Sequence, residues 1–235
     1  MPNEFEDLGF VLHSRRFREN SRIVEVLTRR HGRISLIARP SGKKGTGELA
    51  ALQPWCESRY RWRGKHDLQN LAWVEVHQPF SLNGENSICG LYCNELLQYL
   101  LARQLPCRNL YACYHDTIAQ LASGERAAPR LRKFEDELLR FLGFSLDYSI
   151  LDAYTDNPDS VCYFHPDHGL TPAPMDETAV TIDLATLNQL QQQNFADKRT
   201  AAVAKSIFGA TLDSLLEGKP LRSRKLLQSY RKYTS

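Results

Sequence analysis

Residues 9–39 read GFVLHSRRFRENSRIVEVLTRRHGRISLIAR, three short apolar runs parted by polar and charged clusters. In GFVLHSR, Phe10 and Leu12 share one side. In SRIVEVLT, Ile23, Val24, Val26 and Leu27 flank Glu25, and in RISLIAR, Ile34, Leu36 and Ala38 alternate with Arg33, Ser35, Ile37 and Arg39. A period of two marks a strand, because successive side chains leave it on opposite faces. Gly32 after His31 supplies a hairpin turn. The Gly/Lys-rich stretch PSGKKGTGE (40–48) reads as a loop, beyond which SRYRWRG (58–64) and LAWVEVH (71–77) resume the strand pattern. Five short strands in succession fit a small closed barrel of the OB type.

Beyond Pro79 the period lengthens to that of a helix. From Ser87 to Arg103 the apolar residues Ile88, Leu91, Tyr92, Leu96, Leu97, Tyr99, Leu100 and Leu101 cover most of a helical surface, which predicts a buried helix. Further helices are predicted over 109–122 and 129–142, the latter striped by Leu131, Phe134, Leu138, Phe141 and Leu142 and ended by Gly143. Residues 152–178, rich in Asp, Pro, Gly and Thr around the single run VCYF, predict a small hairpin insertion. Helix returns over 183–192 and 197–216, stops at Gly218 and Pro220, and restarts after Ser223. The expected fold is therefore α+β: an OB-fold barrel over 1–80, then a helical domain over 81–235 with a β-hairpin insertion and a basic C-terminal helix.

The chain has 235 residues, 42% hydrophobic and 24% charged, and no run approaches the roughly 18 apolar residues of a membrane span. The N-terminus MPNEFEDLGF is acidic where a secretory signal is basic, so the expected location is the cytoplasm. There the six cysteines are expected to be reduced, and none forms a Cys-x-x-Cys pair. Cys89 and Cys93 fall inside the helical pattern as small core residues.

Charge is segregated along the chain. Residues 1–80 hold 14 Lys/Arg against 9 Asp/Glu, residues 81–218 hold 10 against 18, and residues 219–235 hold six cations and no acid. Basic ends around an acidic middle predict a polyanionic partner touched at two places. In SRYRWRG, alternation puts Arg59, Arg61 and Arg63 on one face and Tyr60 and Trp62 on the other. Guanidinium groups suit phosphate through paired hydrogen bonds. Arg15, Arg16, Arg18, Arg33, Arg39, Lys43, Lys44 and Lys65 belong to the same domain, and Phe17 and Tyr60 are candidates to stack on bases.

Other chemistry finds less support. SGKKGTG resembles a phosphate-binding P-loop, but its lysines precede the second glycine, so nucleotide hydrolysis is not predicted. Cys162, His165, Asp167 and His168 are metal-ligand types, yet they lack the separated pairs of a structural zinc site. No nucleophile or base motif is present, so neither a metal, a cofactor nor a catalytic residue is expected. A metal-dependent nuclease or phosphoesterase working near His165 and His168, or a plain OB-fold RNA-binding module, are the alternatives to a DNA-binding protein.

The strings GFVLHSRRFRENSRIVEVLTRRHGRISLIAR, LAALQP, GLYCNELLQYLL, LRKFEDELLRFLGF and GKPLRSRKLL resemble, in order and spacing, those of the RecO family of DNA repair proteins, closest to its proteobacterial members. The resemblance implies a recombination mediator. Such a protein binds single- and double-stranded DNA, anneals strands coated with single-stranded-DNA-binding protein, and joins RecR to help load RecA. It extends the DNA-binding set to Arg222, Arg224 and Lys225 in the terminal string. It also implies a site for the acidic, Phe-ended C-terminal tail of the single-stranded-DNA-binding protein. Such a tail needs cations beside an apolar pocket, which Arg130, Arg132, Lys133, Leu131, Phe134 and Phe141 could supply, with Arg132 the first choice. Some members carry a four-cysteine zinc module where this chain has only Cys162, which predicts that the hairpin replaces it.

Overall fold

The computed structural model describes residues 4–39, 45–64, 66–154 and 160–234. The chain forms two compact units, Met1–Glu125 with Leu221–Ser235, and Arg126–Pro220.

The first unit contains β1 (Glu4–Phe17), β2 (Ser21–Thr28), β3 (Gly32–Ala38), α1 (Gly45–Ala51), β4 (Cys56–Arg63) and β5 (Leu68–Pro79), whose strands close a barrel in the order β1-β2-β3-β5-β4. All neighbours are antiparallel except β3 and β5, which pair in parallel over Ser35–Ile37 and Leu68–Asn70. Closed five-stranded topology with a helix before the fourth strand is the OB arrangement that the alternation predicted. Val24, Val26, Ile34, Leu36, Tyr60, Trp62 and Val74 fill its interior. Tyr60 is therefore core, fully buried and donating its hydroxyl to the Ala51 carbonyl, and not the base-stacking residue expected. Two strands are longer than expected, 14 residues for β1 and 12 for β5. β1 needs that length because Glu4–Phe10 pairs with β4 and Gly9–Phe17 with β2.

Gly32 does make the β2–β3 turn, at φ +69°, where Thr28 Oγ1 donates to its carbonyl at 2.8 Å. A Cβ there would lie 2.0 Å from the Leu105 carbonyl oxygen, so the turn requires glycine for its space as well as its angle.

Helices cover part of the barrel's outer wall. α2 (Gly84–Leu100), α3 (Arg108–Ala122) and α7 (Arg222–Thr234) belong to this unit. Phe10 and its cross-strand neighbour Leu27 point away from the barrel interior, yet both are fully buried. The rings of Phe80, Tyr111, Tyr114 and His115 lie 5.2–6.1 Å from that of Phe10. Asn94 on α2 donates to the Val11 and Leu12 carbonyls and accepts from Tyr114 Oη at 2.7 Å, tying both helices to β1. Cys89 and Cys93 are buried, as the helical pattern predicted. α2 starts and stops three residues earlier than expected. Leu101 turns extended, and Gln104 N then donates to the Arg33 carbonyl at 2.8 Å, so backbone pairing with β3 outcompetes the last helical turn.

The second unit holds α4 (Ala127–Leu142), a 3-10 helix (Tyr148–Tyr154), β6 (Val161–His165), β7 (Gly169–Thr171), β8 (Val180–Asp183), α5 (Leu184–Gln191) and α6 (Lys198–Leu215). Gly143 ends α4 in the left-handed region, φ +88°, as expected. The expected hairpin is present as β6 and β7, and it grows to a three-stranded sheet, β7-β6-β8, because Val180–Asp183 adds a strand along β6 before α5 begins. Asp183 and Asp197 cap α5 and α6 by accepting from Thr186 N and Thr200 N, both at 2.8 Å.

Asn94→Ala would remove the hydrogen bond that Asn94 accepts from the buried Tyr114 hydroxyl and those it donates to two β1 carbonyls. The expected loss is about 2–3 kcal/mol of unfolding free energy in urea, with the slope unchanged.

Candidate nucleic-acid interface

The three β4 arginines do share the outer face. Their counterparts across the β1–β4 register are Leu8, Glu6 and Glu4 for Arg59, Arg61 and Arg63. Glu6 accepts from Arg61 Nε and Nη2 at 3.0 and 2.8 Å and from Arg59 Nη1 at 3.4 Å, while Glu4 accepts from Arg63 Nε and Nη2 at 3.2 and 3.1 Å. Hydrogen bonds from Arg61 and then Arg59 hold the Glu6 carboxyl below its usual range, and Glu6 in turn raises the Arg61 pKa. Exposed pairs of this kind add little to stability. Their consequence is electrostatic: three cations face two anions, so the ladder offers a polyanion far less charge than its arginine count. Local pattern carries no sign of this, because which strand lies beside β4 is a property of the closed barrel. Arg61 also lies over Trp73 of β5, Cζ 5.6 Å from the ring centroid.

Arg15, Arg16 and Arg18 are exposed at the far end of β1 and its turn into β2. Arg18 sits at φ +56° with its Cζ 5.2 Å from the half-buried Phe17 ring. Arg39 is exposed at the end of β3, 3.4 Å from Asn70 Oδ1. Arg33 is different. It bonds Glu25 at 3.1 Å and donates to the Leu101 carbonyl at 3.1 Å, and burial, partly offset by Glu25, pulls its pKa down. It serves the packing of α2's end on the barrel. Lys43, Lys44 and Lys65 lie outside the described residues.

The terminal cations are brought into the barrel's unit. Glu95 of α2 accepts from Arg222 N at 3.1 Å and from Ser223 N and Oγ at 2.9 and 2.5 Å, capping the first turn of α7 with a carboxylate where the helix dipole is positive. Arg222 and Lys225 are exposed, while half-buried Arg224 has its Cζ 5.9 Å from the Tyr92 ring and Arg231 pairs with Glu85. Both basic ends of the chain thus reside in one compact unit.

In the second unit, α4 carries the expected tail-binding set. Lys133 is exposed and Arg130, Leu131 and Phe141 are half-buried, but Phe134 is fully buried, so it backs the surface rather than walling a pocket. Arg132 is only 7% exposed and donates from Nη2 to Glu135 at 2.5 Å. Its Nε is buried and finds no acceptor among the described residues. Around the small sheet, His165 pairs with Asp176 at 3.0 Å, and burial pushes the Cys162 thiol up to about 11. Among the described residues no cluster of three such side chains could hold a metal ion, and no helix is long and apolar enough to cross a membrane.

Residues 1–80 match the family model "Recombination protein O N terminal" and residues 81–225 match "Recombination protein O C terminal". The chain is 34% identical over 226 residues to the DNA repair protein RecO of Burkholderia pseudomallei, covering 94% of this chain and 82% of that one. It is 34% identical over 230 residues to the RecO of Nitrosococcus oceani, 95% and 93% covered. With the RecO of Coxiella burnetii strain RSA 493 the identity is 35% over 225 residues, 93% and 96% covered.

Removing the Arg132 side chain takes away the cation that the buried Glu135 carboxylate faces. Arg132→Ala is expected to cost about 2–4 kcal/mol of stability, whereas Lys133→Ala at the neighbouring exposed position should change it by less than about 0.5 kcal/mol in denaturant titrations.

Proposed function

Because the chain belongs to the RecO family of DNA repair proteins, we propose that it works as a non-enzymatic recombination mediator. It binds single- and double-stranded DNA, anneals complementary strands coated with single-stranded-DNA-binding protein, and acts with RecR to load RecA. The observation that carries the reading is the gathering of both basic ends, the barrel with Arg15, Arg16, Arg18, Arg39, Arg59, Arg61 and Arg63 and helix α7 with Arg222, Arg224 and Lys225, in a single unit. Annealing requires two phosphate backbones to be neutralised together without reading bases, and arginines on a barrel wall and a neighbouring helix provide charge indifferent to sequence.

The tail of the single-stranded-DNA-binding protein is assigned to α4. Arg132 Nε is a buried donor lacking an acceptor among the described residues, which a tail carboxylate would satisfy. Arg130 and Lys133 add positive charge beside it, and half-buried Leu131 and Phe141 meet the terminal phenylalanine.

The test is annealing of strands coated with the cognate single-stranded-DNA-binding protein. Annealing should accelerate, and labelled strands should stay intact with magnesium or zinc present. No acceleration, or cleavage, would overturn the reading. With about five to eight phosphates contacted, the log-log salt dependence of single-strand affinity should have a slope of roughly −4 to −6. A slope near zero would remove the electrostatic basis. Arg132→Ala should also weaken binding of a labelled tail peptide by about 10- to 150-fold, measured where the variant is fully folded, with DNA affinity little changed.

A further inference from the structure

The chain's three tryptophans are used in three ways. Trp62 is 1% exposed inside the barrel. Trp55 packs against α2, where a Cβ on Gly90 would come within 2.7 Å of its Nε1. Trp73 is 37% exposed on the outward face of β5, with no comparable packing role.

Its surroundings match a nucleotide's two parts. Trp73 walls a dent of about 70 Å³ with Leu52, Leu71 and Ala72, with Glu48 at its edge. The dent is too small to enclose a base, so a base would lie across its mouth, against the ring. Arg39 also lines it, and Arg61 lies over the ring with its guanidinium fixed by two hydrogen bonds to Glu6. The platform is thus preorganised on strands, with exposed Arg39 beside it for a flanking phosphate. Glu48, on the dent's edge, repels phosphate from the dent itself, which favours the base across its mouth and the backbone at Arg39.

We propose that Trp73 is a stacking platform for one unpaired nucleobase on the outer wall of the barrel. This deepens the DNA-binding reading above and rests on it. Arginines alone hold paired and unpaired strands by the same phosphates, whereas a stacking site engages only a base free to leave its neighbours. Trp73 therefore biases the barrel toward single strands. A short apolar peptide would use the indole but not the arginines.

The test compares the full-length protein with Trp73→Ala and Trp73→Phe, each checked for an unchanged thermal melt, on oligo-dT, an abasic oligonucleotide of equal length and a duplex of equal length. Trp73→Ala is expected to weaken oligo-dT binding by roughly 5- to 150-fold and to leave the abasic strand and the duplex unchanged. Trp73→Phe should restore most of the loss. Oligo-dT should quench the wild-type tryptophan emission, and the quenching should vanish in Trp73→Phe. Wild-type affinity of Trp73→Ala for oligo-dT, or equal losses on all three ligands, would overturn the platform while leaving DNA binding intact. Wild-type protein that binds none of the three would overturn the DNA-binding reading as well.

Discussion

Phe10 lies on the outer side of its strand and yet is wholly enclosed, ringed by Phe80 and by Tyr111, Tyr114 and His115 of α3. Full burial of one such side chain contributes about 2–3 kcal/mol, but its position matters more than its energy. It makes the middle of β1 dry on both faces, and so divides the strand's outer side into three stretches. Before Phe10 come Glu4 and Glu6, committed to the β4 arginines; after it come Arg15 and Arg16, exposed on the hairpin. Where the helices sit on the barrel decides which arginines are left for solvent.

Two buried carboxylates, Glu25 and Glu57, fix that seating, and a third, Asp7, fixes the β2–β3 turn. Asp7 accepts from Arg30 N at 2.7 Å and faces His31, Glu25 accepts from Ser35 at 2.7 Å and meets Arg33 and Arg103, and Glu57 accepts from Tyr111 Oη at 2.6 Å. Removing a carboxylate from water costs much of what its partners return, so such groups add little net stability. Their effect is on alternatives: shift α3 by a turn and Glu57 loses Tyr111, or let residues 101–104 leave β3 and Glu25 loses Arg103. A misplaced helix leaves a buried charge with fewer partners.

The parts of the fold that were legible in the sequence are those set by local period. Alternation in 9–39 and 58–77 located the strands, and the stripe ending at Gly143 located α4, because a strand or helix writes its buried face into its own residues. What the sequence did not disclose depends on neighbours remote in the chain. Arg33 and Arg59 look alike in sequence, yet one is pinned beneath α2's end and the other is exposed; Tyr60 and Trp73 are both aromatic strand residues, and only closure of the barrel turns one inward and the other out. Tyr60, a stacking candidate by sequence, is thus core, and LAWVEVH does not show which of its faces meets the core and which carries Trp73 outward. The strand Val180–Asp183 was missed because four residues carry too little period to register.

The capping of α7 by Glu95 has a consequence for how the molecule is made. The contact joins residues more than a hundred positions apart, and between its two sides the chain builds the whole second unit. The barrel's unit is thus discontinuous in the chain. On a ribosome, residues 126–220 emerge and can collapse before the helix that completes the earlier unit exists. Glu85, Glu95 and Tyr92 must wait through that interval facing water, and the late-arriving helix closes a loop of high contact order, a step that is slow relative to local folding. Order of synthesis and order of assembly therefore diverge in this chain: the first unit begun is the last one finished.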